Sequence, residues 1–393
     1  MTRWHDVVVV GGGNAGISLA ARLRRLGCPD VCVVTPDVDH LYRPLLNFVA
    51  GGQVRLDRLT RPMREVVPEG CTWEASPAVS VDADAREVTL ASGTRIGYTD
   101  LVLAPGLEPD IAATPGLGEA LDLGWSRTSY LRDTVEATWD AVRGTESGRV
   151  VFTVPPEPSP AGGTALKPLF LACDHWRARG VLDRIDVHLV TPYDAVLDLP
   201  FLDRHLEPAL ERFGVTVHHR ATVAGVNARG RSVTVASDNG TRELDDVTWA
   251  SVVPRYRAPE WVRPFAGEHP AGLVDVDPET LAHRTVPRLW SLGDVADTGT
   301  RPSGGALRRQ VEILADNIQA ARKGRPLRRY DGYTVIPVTV DRRHLSLAEF
   351  DRHGTPTPSV SVIDLTVPRR PLWFFDRYVE PVVYYRRLLR GKV

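Results

Sequence analysis

Glycines at a fixed spacing are the residues of this chain best suited to chemistry. In Gly11-Gly12-Gly13-Asn14-Ala15-Gly16, Gly11 permits a tight turn, Gly13 lets the backbone approach a phosphate closely, and Gly16 lets a following helix lie against the preceding strand. That chemistry is dinucleotide binding, with a pyrophosphate on the helix N-terminus, where free N–H groups and the macrodipole favour negative charge. The elements that must position it are adjacent in the chain: the apolar run 7–10 reads as a strand and 17–26 as an amphipathic helix. An acid at the end of the next strand, Val31-Cys32-Val33-Val34, ordinarily accepts the ribose hydroxyls. Here Thr35 holds that place, with Asp37 and Asp39 just beyond, and a threonine can still hydrogen-bond a ribose.

Bulk properties narrow the class. A chain of 393 residues is long enough for two or three domains, and 43% hydrophobic with 25% charged residues is ordinary for a globular protein. A net charge of -1 argues against nucleic acid as a partner. The N-terminus lacks the pattern of a signal peptide, and no apolar run reaches the ~18 residues of a spanning helix. The expected location is the cytoplasm, with contact at a membrane surface left open. Cys28, Cys32, Cys71 and Cys173 form no C-x-x-C pair and have no histidine cluster beside them, so neither a disulfide framework nor a metal site is expected. Cys32 and Cys173 read as buried small hydrophobes.

Further along, 72–74, 79–84 and 87–90 have strand composition, with a turn at Asp84-Ala85-Arg86, and 99–104 returns as an apolar strand ending at Ala104-Pro105-Gly106. An antiparallel excursion inside a parallel sheet fits a flavin-type variant of the doubly wound fold. A second βαβ series follows: strand 150–154, helix 166–179, strand 185–190 and helix 206–213. Where a second glycine turn would stand the chain reads Pro155-Pro156-Glu157-Pro158-Ser159-Pro160. Prolines offer no N–H to a pyrophosphate, which disfavours NADH binding. Residues 286–294 read as a strand running into Gly293-Asp294, where an aspartate could hold a polyol, and a helix spans about 305–323. The tail mixes Trp373, Phe374, Phe375, Tyr378, Tyr384 and Tyr385 with five cations, as an interfacial segment does. The alternative is a terminal helix packed on its own domain or on a second subunit.

Taken together, the residues resemble the sulfide:quinone oxidoreductases, two-dinucleotide-domain flavoproteins of the glutathione-reductase-like superfamily. The stretches that carry the likeness are 7–23, His40-Leu41-Tyr42-Arg43-Pro44, 47–52, 101–106, Lys167-Pro168-Leu169, 272–277, Leu292-Gly293-Asp294, Tyr330-Asp331-Gly332-Tyr333-Thr334 and 347–351. The resemblance implies an α/β fold with two Rossmann-like domains. The FAD domain would comprise 1–108 and 272–330, a degenerate NAD-like domain 109–271, and a C-terminal region 331–393. It implies FAD with its pyrophosphate at Gly11, Gly13, Asn14, Ala15 and Gly16, its ribose by Thr35 and Pro36, and its adenine by Val79. Ala104, Pro105 and Gly106 would run beneath it, Arg43 and Pro44 would approach the flavin, and Asp294 beside Gly293 would hold the ribityl chain. The helix at Gly304 and Gly305 would point its positive end at the pyrimidine ring.

The same likeness exposes a departure. The family places a redox cysteine in a Pro-x-x-Cys-x-Gly loop, which here reads Pro158-Ser159-Pro160-Ala161-Gly162-Gly163, and its partner falls at Ile336. A lysine near the quinone end is replaced by Pro302. Alanine and isoleucine cannot carry persulfide sulfur. The expected reaction is direct hydride exchange between flavin and a small organic substrate, with His40, Tyr42, Lys167 and His344 as polar residues to test. The alternatives are sulfide attack on the flavin with a quinone acceptor, a flavin-binding partner subunit without turnover, and NADH oxidation.

Overall fold

The computed structural model describes residues 3–392. Strand Arg3–Val10 stands near the middle of a seven-stranded sheet, parallel to Val31–Val34 on one side and Arg95–Leu103 on the other. Its valines alternate. Val7 and Val9 pack with Ile17, Leu19 and Leu23 of helix Asn14–Arg25, while Val8 and Val10 pack with Leu101, Leu103, Val274 and Val276 on the opposite face. A parallel strand covered on both faces needs this unbroken apolar run.

The antiparallel excursion is present as strands Ala78–Asp82 and Glu87–Leu90, the second of which pairs with the start of Arg95–Leu103. The far end of Arg95–Leu103 pairs instead with Leu289–Ser291, in parallel. Residues nearly two hundred positions apart are thus joined in one sheet, and Asp100 locks the junction: fully buried, it accepts from Trp290 Nε1 at 3.0 Å and Arg322 Nε at 2.7 Å.

A four-stranded parallel sheet runs Thr216–His218, Ile185–Val190, Gly148–Thr153 and Val247–Ser251, with helices Leu166–Ala178 and Pro200–Arg212 against it. The doubly wound reading of both units holds. The hairpin Thr334–Thr339 and Leu345–Phe350 buries Ile336 and Val338 in the core of this second unit.

Two expectations need correction. The strand expected over 286–294 is confined to Leu289–Ser291, because Pro287 precedes a residue, Arg288, whose φ of 65° breaks extended geometry. The helix expected from 206 begins at Pro200, whose missing N–H costs nothing in a first turn. The terminal helix is present as one continuous run, with a π-helical stretch Phe375–Val379 between Arg370–Phe374 and Glu380–Arg386. Its Tyr384, with Leu388 and Leu389 beyond, packs into the core beside helix Asn14–Arg25, while Phe374, Phe375, Tyr378 and Val382 stay exposed. One face therefore docks on the chain's own first unit and the other is bare.

Candidate functional site

The carboxyl ends of Arg3–Val10, Arg95–Leu103 and Leu289–Ser291 lie side by side, where parallel sheets place ligands. At their tips the glycines are required by contact. A methyl group on Gly11, whose φ is 128°, would stand 2.0 Å from the Ala104 carbonyl oxygen, and one on Gly16 would stand 1.9 Å from the Gly11 oxygen. Gly13 differs: nothing lies within 4 Å of its missing side chain. It is also the N-cap of helix Asn14–Arg25 and brings no side chain to cap it, and no acid occupies the first turn. Donors at this helix end face open space.

Gly293 closes over the same place, since its missing Cβ would lie 3.0 Å from Ala15 Cβ, and its N–H donates to Gln310 Oε1 at 2.9 Å. Beside it the Asp294 carboxylate is partly buried and receives no hydrogen bond from the described residues, and desolvation raises its pKa to about 6 against the opposing charge of Arg43. A carboxylate held without a donor suits a polyol ligand. Arg43 and Pro44 are exposed, and Arg43 Nη2 donates to the Tyr130 carbonyl at 3.2 Å. Gly304 faces open space and Gly305 abuts Val335, at the start of helix Gly304–Arg322, whose cap Ser303 accepts from the Ala306 N–H. Thr35 is buried against Gly12, with Asp37 as its hydroxyl's partner; Pro36 and Val79 are exposed, and Pro105 and Gly106 follow Ala104 at the turn. A glycine cradle, an uncapped helix end and an unpaired carboxylate together fit an FAD-type dinucleotide.

The pyridine nucleotide-disulphide oxidoreductase family matches residues 5–150. The mouse mitochondrial sulfide:quinone oxidoreductase is 27% identical over 391 residues, spanning 98% of this chain and 87% of the relative. The crystal structure of the Aquifex aeolicus sulfide:quinone oxidoreductase superposes with a TM-score of 0.83 at 17% identity, covering 100% of this chain and 92% of that one. Along nearly its whole length the chain is similar to sulfide:quinone oxidoreductases. It is an FAD-dependent oxidoreductase in type. An NADH dehydrogenase-like protein of Mycobacterium tuberculosis is 29% identical over 366 residues, 88% of this chain and 83% of its own.

Of the two positions expected to lack thiols, Ala161 heads a loop whose Gly163 packs against the other, Ile336. Ala161 has a left-handed φ of 52° and opens the short helical turn Gly162–Ala165, and a Cβ on Gly163 would lie 2.9 Å from Ile336 Cγ2. The Ala161 carbonyl accepts from Tyr130 Oη at 2.9 Å and Thr164 Oγ1 at 2.8 Å. The cysteines lie elsewhere: Cys32 and Cys173 are fully buried, and burial pushes Cys32 up to about 12 and partly exposed Cys71 up to about 11. None is a thiolate at neutral pH.

The four polar residues singled out from sequence have separate fates. His40 is buried and neutral in character, its pKa lowered by desolvation; Nδ1–H donates to the Gly12 carbonyl at 3.0 Å and Nε2 accepts from Tyr384 Oη at 2.6 Å. It links the glycine turn to the tail. Tyr42 is buried against Tyr384 and Tyr385. Lys167 is 1% exposed, with Nζ 2.7 Å from Asp376 Oδ2 and over the Phe48 ring. His344 sits apart, its Nδ1 paired with Asp341 in the turn before Leu345–Phe350. Sequence reasoning missed Glu157, Tyr130 and Arg301; an acid alone among four prolines was the available signal for the first.

Proposed function

We propose that the chain holds FAD across its first unit and exchanges a hydride directly between the flavin and a small organic substrate. The binding contacts would be Gly11, Gly13, Asn14, Ala15 and Gly16 at the pyrophosphate, Thr35, Pro36 and Val79 at the adenosine end, and Ala104, Pro105 and Gly106 beneath. Arg43 and Pro44, Gly293 and Asp294, and Gly304 and Gly305 would meet the ribityl and ring. The FAD part would be 1–108 with 272–330, followed in space by 109–271 and the tail region 331–393. When bound, the flavin supplies the two-electron chemistry, and these residues supply position and field.

Asp294 makes this testable. Its carboxylate accepts from ribityl hydroxyls best when ionised, so flavin retention should weaken as pH falls through about 6. The change is about 1 kcal/mol, the difference between a charge-assisted and a neutral hydrogen bond. Asp294→Asn should bind flavin more weakly at pH 8 and show no such inflection, as read from released-flavin fluorescence. In the apoprotein the sign reverses: with a folded pKa above the ~3.9 of an unfolded chain, this group's contribution to stability is present at low pH and lost as pH rises through about 6.

The observation that supports the hydride reading is the pair of residue types at these positions, Ala161 at the head of a loop whose Gly163 abuts Ile336. Both positions are inert where persulfide chemistry needs thiols. NADH as donor is disfavoured by the cleft at the carboxyl end of the second sheet, which holds about 20 Å³ and is lined by Pro155 and Pro156. Electrons would leave toward the tail, where a cavity of about 400 Å³ is lined by Tyr42, Leu45, Arg58, Tyr378 and Tyr385. A quinone fits that aromatic wall. The exposed Phe374, Phe375 and Val382 beside it would rest on a membrane surface or a second subunit, and among the described residues no helix is long and apolar enough to cross a membrane.

The second reading, sulfide attack on the flavin itself with quinone as acceptor, is favoured by the near-complete coverage of the mouse relative. Anaerobic mixing separates the two. Under the hydride reading, flavin absorbance persists in excess sulfide and NADH and bleaches with an organic donor. Bleaching by sulfide would transfer the case to the second reading, and a flavin that no donor reduces would leave a partner subunit without turnover.

A further inference from the structure

Glu157 occupies an unusual place. Its side chain is exposed, yet desolvation by the segments around it raises its pKa. It stands in the loop that carries Ala161: a Cβ on Gly162 would meet Glu157 Oε1 at 3.1 Å and Ser159 Oγ at 2.4 Å. Glu157 Oε2 accepts the Ser159 N–H at 3.0 Å, and Tyr193 Oη donates toward Oε1 at 3.5 Å. The ionisable groups facing it are Arg301, Asp294, Tyr193 and Tyr130, drawn from four other segments of the chain.

Two cations reach this loop through its aromatic neighbours Tyr193 and Tyr130. Arg301 lies over the Tyr193 ring and donates to the Leu197 carbonyl, and Arg43 donates to the Tyr130 carbonyl. Among the described residues neither has a carboxylate at ion-pair distance, although Glu157 and Asp294 are close enough to feel their charge. Guanidiniums left free beside an accessible acid are arranged for an anionic ligand.

We propose that Glu157 is the acid/base residue of the reductive half-reaction and that Arg301 and Arg43 select a small 2-hydroxy acid. This rests on the hydride reading. The substrate carboxylate meets a guanidinium and its hydroxyl meets Glu157. The Glu157 carboxylate would take the hydroxyl proton as C2=O forms, and the C2–H bond would break with its electron pair leaving as hydride, which a bound flavin would accept. The product would be a 2-oxo acid. Glu157 then returns the proton to solvent, and the acceptor at the tail removes the electrons. The chain thereby has an acid/base group in the loop where its relatives are expected to carry sulfur.

The test uses holoenzyme and oxalate, a planar anionic mimic that cannot be oxidised by hydride loss, followed through the bound-flavin absorbance. An anion that binds beside Glu157 prefers the protonated carboxyl. Its affinity for the wild type should fall about tenfold per pH unit above the pKa of that group, and should be flat in Glu157→Gln, where Asp294 is still present. Tyr193→Phe should move the break upward, because the phenol stabilises the carboxylate; this variant also covers the case in which Glu157→Gln does not fold. The same slope in Glu157→Gln, or no oxalate perturbation at any pH, overturns the proposal. Lactate, malate and glycolate are then tried as anaerobic reductants. Bleaching without the oxalate slope keeps the hydride reading and removes Glu157, whereas the slope without bleaching overturns the 2-hydroxy acid assignment and leaves the hydride reading to be decided with other organic donors.

Discussion

Gly13→Ala is expected to yield a folded protein that purifies without its yellow colour. No atom lies within 4 Å of the position a new methyl would take, and the φ of -75° is one alanine adopts freely, so the apoprotein should keep its stability. The methyl instead projects over the uncapped N-terminus of helix Asn14–Arg25, into the space assigned to the pyrophosphate. Displacing the phosphates removes about two charge-assisted hydrogen bonds at about 1.5–3 kcal/mol each, so FAD affinity should drop roughly 10²- to 10⁴-fold. Gly16→Ala is the contrasting control. Its methyl would overlap the Gly11 carbonyl at 1.9 Å and force helix and strand apart, so thermal stability and flavin should fall together. Flavin titration of refolded apoprotein with both variants decides the matter. Wild-type affinity in Gly13→Ala would remove the pyrophosphate from this helix end.

Elements whose cause is local are legible in the chain, and contacts made between distant segments are not. The run of valines, the glycine turn and the excursion around Asp84-Ala85-Arg86 each follow from neighbouring residues, and all three are where their sequence places them. Leu289–Ser291 is shorter than its apolar composition suggests because one backbone torsion at Arg288 overrides propensity. His40 illustrates the harder case. Its position near a motif marks it as a polar residue worth testing, but the partners of its two ring nitrogens are 28 residues upstream and 344 downstream. Nothing in the periodicity of either segment announces that pairing. Glu157 is legible only in part: an acid between prolines is conspicuous, while the arginine and tyrosine that tune it come from residues 301 and 193.

Lys167→Met should destabilise the fold more than any change to its partner in the tail. The ammonium is held 2.7 Å from Asp376 with side-chain exposures of 2% and 14%, and the Phe48 ring lies 4.9 Å below it. Removing the lysine leaves Asp376 buried without its counter-ion, which costs about 3–5 kcal/mol for a pair of this kind. Asp376→Asn should cost less, because the lysine keeps the Phe48 face and the amide oxygen can still accept its hydrogen bond. Combining the two should recover much of the loss, since no net charge then remains to be desolvated. A coupling energy well above the ~0.5 kcal/mol seen between independent sites is the signature. The consequence reaches beyond stability. Lys167 belongs to the second unit and Asp376 to the tail, which is also tied to the first unit by His40 and Tyr384 and to helix Gly304–Arg322 by Arg308 and Glu380. With this tie cut, protease should cleave between Arg369 and Arg377 sooner, and the cavity beside Tyr42 should lose its roof. Unfolding in urea measures the first effect and limited proteolysis the second. A Lys167→Met protein within about 1 kcal/mol of wild type, on the scale of an exposed ion pair, would mean that water reaches this pair and that the tail is held by its other contacts.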